Sequence, residues 1–177
     1  MKYQLEERTH VDIKNVASAY VASPYSHRDL GLMHRRYKQV GAFIAAATRV
    51  EDNRTFWYSP ICHYHDLAWT HEIPTDAMTW QMVNYKALAV CEITALLVLP
   101  GWHKSFGVMT ELEWTAKLGN SGRYTHIEVY APEQEMPSSL QAYPKAIPHV
   151  PGYVGVQVPV SDLIHTAQKI RSEDQLA

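Results

Sequence analysis

The residues whose types and spacing could do chemistry stand together in Ser105-Phe106-Gly107-Val108-Met109-Thr110-Glu111. They follow an apolar run, Thr94 to Leu99, and the turn Pro100-Gly101. A strand, a turn and a helix that opens on a hydroxyl and a glycine can hold an anion. The first N–H groups of a helix have no intrahelical partner, and the helix dipole favours negative charge there. Gly107 lets an anion approach the backbone, and Ser105 adds a hydroxyl donor. Glu111 comes four residues after Gly107, on nearly the same helix face and about 6 Å further along the axis. That is comparable with the span from a 5-phosphate to C1 of ribose. A carboxylate beneath C1 can stabilise an oxocarbenium-like transition state or attack it. Spacing alone leaves a plainer reading open, in which Ser105 caps a helix and Glu111 is a solvated first-turn acid.

Other polar residues carry weaker signals. His63, His65 and His71 lack the clustered cysteines of a strong zinc signature, so no metal is expected. A histidine over a base pocket would rather stack on the base or donate to it. His63 is the first choice, against a loop histidine facing water. His27, His34, Arg35 and Arg36 could attract phosphate, or His34, Arg35 and Arg36 could form a solvated helix face. Trp102 and Trp114 read as core or interface residues. Cys62 has no evident base and orienting partner for a nucleophile. No G-x-x-x-x-G-K-[ST] or G-x-G-x-x-G is present, which argues against classical ATP or dinucleotide binding. No cofactor is expected.

These residues need elements to position them. Ser18 to Ser23 is apolar, closes at Pro24 and reads as a buried strand. A helix from about Asp29 to Val50 carries Leu30, Met33, Tyr37, Val40, Ile44 and Ala47 at spacings of three and four, with Arg35, Arg36, Lys38 and Gln39 mainly outside that stripe. Thr55 to Tyr58 is a second strand, and a histidine-rich loop is expected after Ser59-Pro60. Ala77 to Val90 reads as a helix and Thr94 to Leu99 as a third strand. A helix from about Gly107 to Leu118, capped by Gly119, precedes a fourth strand, His126 to Tyr130. Strand and helix alternate and the strands are continuously apolar. The expectation is an α/β, Rossmann/flavodoxin-like three-layer fold with a mostly parallel sheet of about five strands. Ligands of such sheets sit beyond the C-terminal strand ends, where Ser23 to His27, Ser59 to His65 and Pro100 to Glu111 would gather.

The 177 residues suit one domain spanning 1–177. Residues 1–17 read as a polar N-terminal extension and 131–177 as a Pro-rich tail with a C-terminal helix. Six of the ten prolines lie between Ala131 and Pro159, so that stretch is expected to wrap the surface or a partner subunit. Ser161 would cap a last helix from about Asp162 to Arg171. A net charge of -2 argues against binding a nucleic-acid polymer. No apolar run approaches the roughly 20 residues that span a bilayer, so no membrane partner is expected. The N-terminus shows no signal-peptide core, and two cysteines make no disulfide framework. A cytoplasmic setting with reduced thiols is the expectation.

The pattern Ser105-x-Gly107-Val108-x-x-Glu111 resembles the 2-deoxynucleoside 5-monophosphate N-glycosidases of the nucleoside 2-deoxyribosyltransferase superfamily. Three further segments are similar to an often phage- or prophage-borne branch of that superfamily, the DUF1937 type. They are Tyr20-Val21-Ala22-Ser23-Pro24-Tyr25-Ser26-His27, Ser59-Pro60-Ile61-Cys62-His63-Tyr64-His65 and Leu96-Leu97-Val98-Leu99-Pro100-Gly101-Trp102. The resemblance covers roughly residues 18 to 130. It implies that Glu111 is the catalytic carboxylate and that Ser105, Gly107 and Val108 border the phosphate. Ser23, Pro24, Tyr25 and the loop to His27 would line the sugar-phosphate pocket, with His63 and His65 near the base. The deoxyribosyltransferases proper usually have an acid where Ser105 stands, and a hydroxyl favours a nucleotide over a nucleoside. The superfamily also commonly has an aspartate on the helix before the third strand. Asn84 or Lys86 occupies the corresponding place here, and Asn84 could position a base but not donate a carboxylic proton.

The implied activity is hydrolysis of the N-glycosidic bond of a (2-deoxy)nucleoside 5-monophosphate to free base and sugar phosphate. Deoxyribosyl transfer to a second base, a non-catalytic nucleotide sensor or sequestering module, and cleavage of the nicotinamide bond of NAD are the alternatives. Members of the superfamily are commonly dimers or larger, so a homodimer or higher homo-oligomer is expected.

Overall fold

The computed structural model describes residues 16–50, 55–74, 77–119, 126–146 and 149–176. Residues 1–15 of the expected extension lie outside the described residues. The strands are β1 (Ala17–Ala22), β2 (Thr55–Tyr58), β3 (Ile93–Leu97), β4 (His126–Pro132) and β5 (Tyr153–Pro159). The helices are α1 (Leu30–Thr48), α2 (Pro60–Thr70), α3 (Ala77–Val90), α4 (Phe106–Gly119) and α5 (Val160–Leu176). The sheet order is β2-β1-β3-β4-β5. The first four strands are parallel, and β5 runs antiparallel to β4. This is the mostly parallel five-strand α/β architecture the sequence pattern points to.

Alternation along the strands sorts the core into two faces. Ala19 and Val21 of β1 and Ala95 and Leu97 of β3 meet Val40, Phe43 and Ala47 of α1. Tyr20, Ala22 and Leu96 point the other way, into a cluster with Leu88 of α3, Leu112 of α4 and Leu163 of α5. Burial on both faces is why the strands carry apolar residues without a polar alternation. Asp29 starts α1 by accepting a hydrogen bond from the Gly31 N–H at 2.8 Å, which satisfies one free helix-start donor.

Three expectations are corrected. The histidine-rich segment after β2 is not a loop but helix α2. Pro60 fits its first turn, where no N–H is needed and φ is already helical. Ile61, His65 and Ala68 recur at spacings of four and three and are buried, so the segment has a helical inner stripe that its polar composition obscures.

The stretch from Ala131 to Pro159 is not an extended surface segment. It turns through Ser138–Leu140, buries Met136 and Leu140, and returns as edge strand β5. Ile127 pairs with Val158 and Val129 with Val156, so both strands add apolar side chains to the same face. Pro132 ends β4, Pro159 ends β5, and the other described prolines of the stretch lie outside both strands, as the missing N–H requires. Gly155 is needed by close approach: a Cβ there would stand 2.6 Å from Cε1 of Tyr130. Helix α5 begins at Val160, so Ser161 lies inside its first turn rather than at the cap.

Cys62 and Cys91 are free thiols. Among the described residues no helix is long and apolar enough to cross a membrane.

Candidate functional site

A cavity of about 370 Å³ lies where the chain leaves β1 and β3. Ser23, Tyr25 and Ser26 line it from the loop after β1, and Tyr64 and His65 from α2. Trp80, Gln81 and Asn84 of α3 form another wall. Ser105, Gly107, Glu111 and Trp114 close it from α4 and the residue before it.

Glu111 is buried rather than a solvated first-turn acid. Its side chain is 8% exposed, and its Oε1 accepts a 2.6 Å hydrogen bond from the Tyr20 hydroxyl. Removal from water pushes the Glu111 carboxyl up to about 7, while the Tyr20 hydrogen bond opposes that rise by favouring the anion. Tyr20 is driven well above the usual phenol range by its own burial first and then by the charge of Glu111.

Ser105 does cap α4, through a long 3.4 Å bond from the Val108 N–H to its Oγ. That contact uses a lone pair and leaves the hydroxyl hydrogen free to donate. Phe106 and Gly107 begin α4, so their N–H groups have no intrahelical acceptor. A Cβ on Gly107 would meet nothing nearer than Ser105 Oγ at 4.0 Å, so the space beside that N–H is open. Ser23 Oγ and Asn84 Oδ1 are buried with no hydrogen-bond partner. Buried polar atoms are nearly always satisfied; these two line the cavity and can be satisfied there by a ligand. Of Asn84 and Lys86, Asn84 is therefore the one that faces the site. Lys86 is exposed and does not line it.

Several sequence candidates are placed elsewhere. Pro24 is buried at the end of β1 and does not line the cavity. His27 is exposed, and its Nδ1 accepts from the Asp29 N–H at 3.0 Å, so it serves the start of α1. His63 is exposed outside the cavity against the rings of Tyr58 and Tyr64. Helical spacing turns it away from the face shared by Ile61 and His65. Val108 is fully buried in the core, so only its backbone belongs to the anion-binding turn.

His65 does line the cavity but is already engaged. Its Nδ1 is 2.6 Å from the Tyr25 hydroxyl and its Nε2 is 3.4 Å from His34 Nδ1. Its ring stacks on Tyr37 at 4.1 Å between centroids. Burial chiefly holds its pKa below the ordinary imidazole value. His71 ends α2 on the surface. Among the described residues no group of three or more His, Cys, Asp or Glu side chains is placed to hold a metal ion.

Arg36 corrects the reading of α1. It is buried, and its guanidinium donates to three carbonyls: Tyr25 at 3.2 Å, Ser26 at 3.4 Å and Pro100 at 2.9 Å. It braces the loop after β1 against the turn after β3 and does not present itself to phosphate. The sequence stripe has no place for a buried cation, because the carbonyls that accept from its two terminal nitrogens lie in other segments of the chain. A second brace comes from α5. Asp174 meets His103 at 2.9 Å and Lys104 at 2.8 Å, and Arg171 donates to the His103 carbonyl.

Sequence reasoning missed Tyr20, the Gln81 amide and the stacked pair of Tyr64 and Trp80, whose ring centroids are 4.6 Å apart. It also read Trp114, which lines the cavity, as core or interface. Nothing in an apolar strand distinguishes Tyr20 from its neighbours. Trp80 and Asn84, one helical turn apart, were a usable signal once α3 was placed beside the site.

A family model described as a domain of unknown function (DUF1937) matches residues 17–124. That span holds every element that lines the cavity and leaves out β4, β5 and α5. No curated protein matches the chain.

Proposed function

We propose that this chain, which belongs to the DUF1937 family, hydrolyses the N-glycosidic bond of a (2-deoxy)nucleoside 5-monophosphate, releasing free base and sugar phosphate. The observation that carries this reading is the sharing of one cavity by a buried, tyrosine-held carboxylate, Glu111, and the open donor groups at the start of α4. The resemblance of the motifs to the nucleoside 2-deoxyribosyltransferase superfamily supports it.

In this reading the phosphate takes the Phe106 and Gly107 N–H groups and the Ser105 hydroxyl, with Lys104 at the rim. The sugar lies over Glu111, within reach of Ser23. The base occupies the aromatic side of the cavity beside Tyr64, Trp80 and Trp114, and its polar edge satisfies Asn84 and Gln81. As the C1–N bond breaks, its electron pair stays on the base nitrogen, which takes up a proton. The Glu111 carboxylate stabilises the positive charge at C1 or bonds to it, and water then delivers hydroxyl to C1. Tyr20 holds the carboxylate and favours its ionised form. Because Glu111 must be anionic and its carboxyl sits at about 7, kcat/KM should rise with pH through that value and level off above it.

Incubation with a panel of ribo- and deoxynucleotides, including NAD, and chromatography of the free base tests the reading. Base release that disappears in Glu111→Gln supports it. Formation of a new nucleotide when a second base is supplied marks a transferase instead. Tight binding of intact nucleotide with no base release from any compound overturns catalysis and leaves a sensor or sequestering module. A homodimer belongs to the same proposal, favoured by the exposed apolar side chains Met82, Val83 and Val90 on α3. Sedimentation over a wide concentration range tests that part, and a monomer throughout rejects it.

A further inference from the structure

We propose that Tyr25 gives the departing base its proton, and that His65 and His34 resupply Tyr25 from the protein surface; this rests on the N-glycosidase reading above. The need for such a donor is set by the site. Glu111 is committed to C1 and already accepts from Tyr20. Asn84 is an amide and cannot act as a proton donor of useful acidity.

The cavity wall carries several hydroxyls, and that of Tyr25 has an imidazole nitrogen behind it, 2.6 Å away on His65. The His65 ring is held rigidly. Tyr37 stacks on it with planes 13° apart, Trp69 lies 5.2 Å away, and the Tyr25 ring meets it edge-on at 81°. From the far side of His65, Nε2 faces His34 Nδ1 at 3.4 Å. His34 is exposed on α1. Cavity, Tyr25, His65, His34 and solvent thus form one line. Arg36 fixes the near end by holding the Tyr25 carbonyl.

The environment suits conduction rather than a fixed cation. Asp66, the acid nearest this cluster, accepts from Tyr37 rather than from either histidine. Burial keeps His65 toward its neutral form. Burial raises the Tyr25 phenol, and a hydrogen bond from the Trp69 side chain opposes that rise. A phenol oxygen that accepts from Trp69 and His65 has its own hydrogen left for the cavity.

The step balances as a chain of three transfers. The Tyr25 O–H proton goes to the base nitrogen as that nitrogen receives the electron pair of the C1–N bond. The His65 Nδ1–H proton moves to the Tyr25 oxygen. Protonated His34 passes its Nδ1–H proton to His65 Nε2 and becomes neutral. When water then delivers hydroxyl to C1, its proton returns along the same line, onto the Tyr25 oxygen as Tyr25 gives its proton to His65 Nδ1. His65 Nε2 gives its proton back to His34, which restores the starting state.

Two substrates separate this relay from the reading beneath it: a nucleotide that the wild-type protein cleaves, and 4-nitrophenyl 2-deoxyribose 5-phosphate, whose leaving group needs no proton. Removing a general acid costs roughly 100-fold or more. Tyr25→Phe and His65→Gln should therefore lose at least about 30-fold more rate on the nucleotide than on the nitrophenyl compound, and His34→Gln should show a smaller difference of the same sign. Glu111→Gln should lose both substrates alike. Equal losses on both substrates in Tyr25→Phe, or no loss on the nucleotide, overturn the relay and leave the N-glycosidase standing. A wild-type protein inert to both compounds overturns the two together. Tyr25→Phe keeps the ring and its packing, so it decides the matter if His65→Gln does not fold. Nitrogen NMR of the unliganded protein gives a readout independent of turnover. His65 should carry its hydrogen on Nδ1, and a hydrogen on Nε2 instead reverses the direction of the chain and rejects it.

Discussion

Glu111 and Glu128 meet the same physical conditions on opposite faces of one sheet. Glu111 is buried and held by Tyr20 at 2.6 Å; Glu128 is buried and held by Tyr130 at 2.9 Å. Loss of water pushes each carboxyl up to about 7, and each tyrosine hydrogen bond works against that rise. The surroundings then differ. Glu111 lines a cavity beside Ser23 and Asn84, whose polar atoms have no partner. Glu128 lies on β4 between Ala95 of β3 and Gln157 of β5, away from that cavity. A displaced carboxyl is therefore not a site by itself. Open volume and unmet hydrogen bonds next to it are what allow it to act on a ligand.

The largest effect should separate the two glutamates by activity. Glu111→Gln keeps the shape and removes the charge, so base release should fall about a thousandfold, the scale of losing a main electrostatic stabiliser. Glu128→Gln should remain within a few-fold of wild type. Both are checked by single-turnover base release, with circular dichroism to show that the variants fold. A comparable loss in Glu128→Gln would break the comparison, because the two sites would then be coupled through the sheet.

Stability against pH comes next and should reverse the ranking of interest. A carboxyl raised in the folded state from 4.5 to about 7 binds a proton there that the unfolded chain has released. The folded state is thus favoured most at acid pH, and stability declines as pH rises from about 4.5 through 7, then levels off. For Glu128 that decline is roughly 3 kcal/mol. Glu128→Gln should match wild type below about pH 4 and exceed it by that amount near pH 8 in urea denaturation. A bound nucleotide should alter the share that comes from Glu111 and leave the Glu128 share unchanged. Identical pH slopes in wild type and Glu128→Gln would reject the assignment.

How far this contrast was legible in the sequence follows from where the determinants lie. Ser105, Gly107 and Glu111 share one short segment, so helical spacing alone sets them in relation. The parallel core was legible because strands buried on both faces must be apolar throughout. Helix α2 was hidden because its histidines and tyrosines read as a polar loop, although Ile61, His65 and Ala68 keep the helical period. Strand β5 was hidden by the prolines around it, while Val154, Val156 and Val158 alternate as a strand should. The tyrosine partners were out of reach of any local pattern. Tyr20 meets Glu111 across 91 residues and Tyr25 meets His65 across 40, and only the folded sheet brings them together. Arg36 is the sharpest case, since a buried cation that donates to three carbonyls leaves no trace in side-chain periodicity.

The smallest effect, and the finest test, is the exchange of each tyrosine for phenylalanine. Tyr20→Phe removes the donor that favours ionised Glu111, so the carboxyl should move above about 7. The rising limb of kcat/KM should shift to higher pH, with a loss of roughly tenfold at pH 7, the value of one hydrogen bond to a charged group. Raising the pH should restore most of that loss, because the carboxylate is then ionised without help. Tyr130→Phe should leave the limb where it is and cost about 1 kcal/mol of stability, with the pH-dependent decline from Glu128 moving upward in the same way. If Tyr20→Phe lowers activity by the same factor at every pH, the hydroxyl orients Glu111 or touches the substrate instead of setting its charge. The two tyrosine–glutamate pairs would then differ in kind, and not only in what lies beside them.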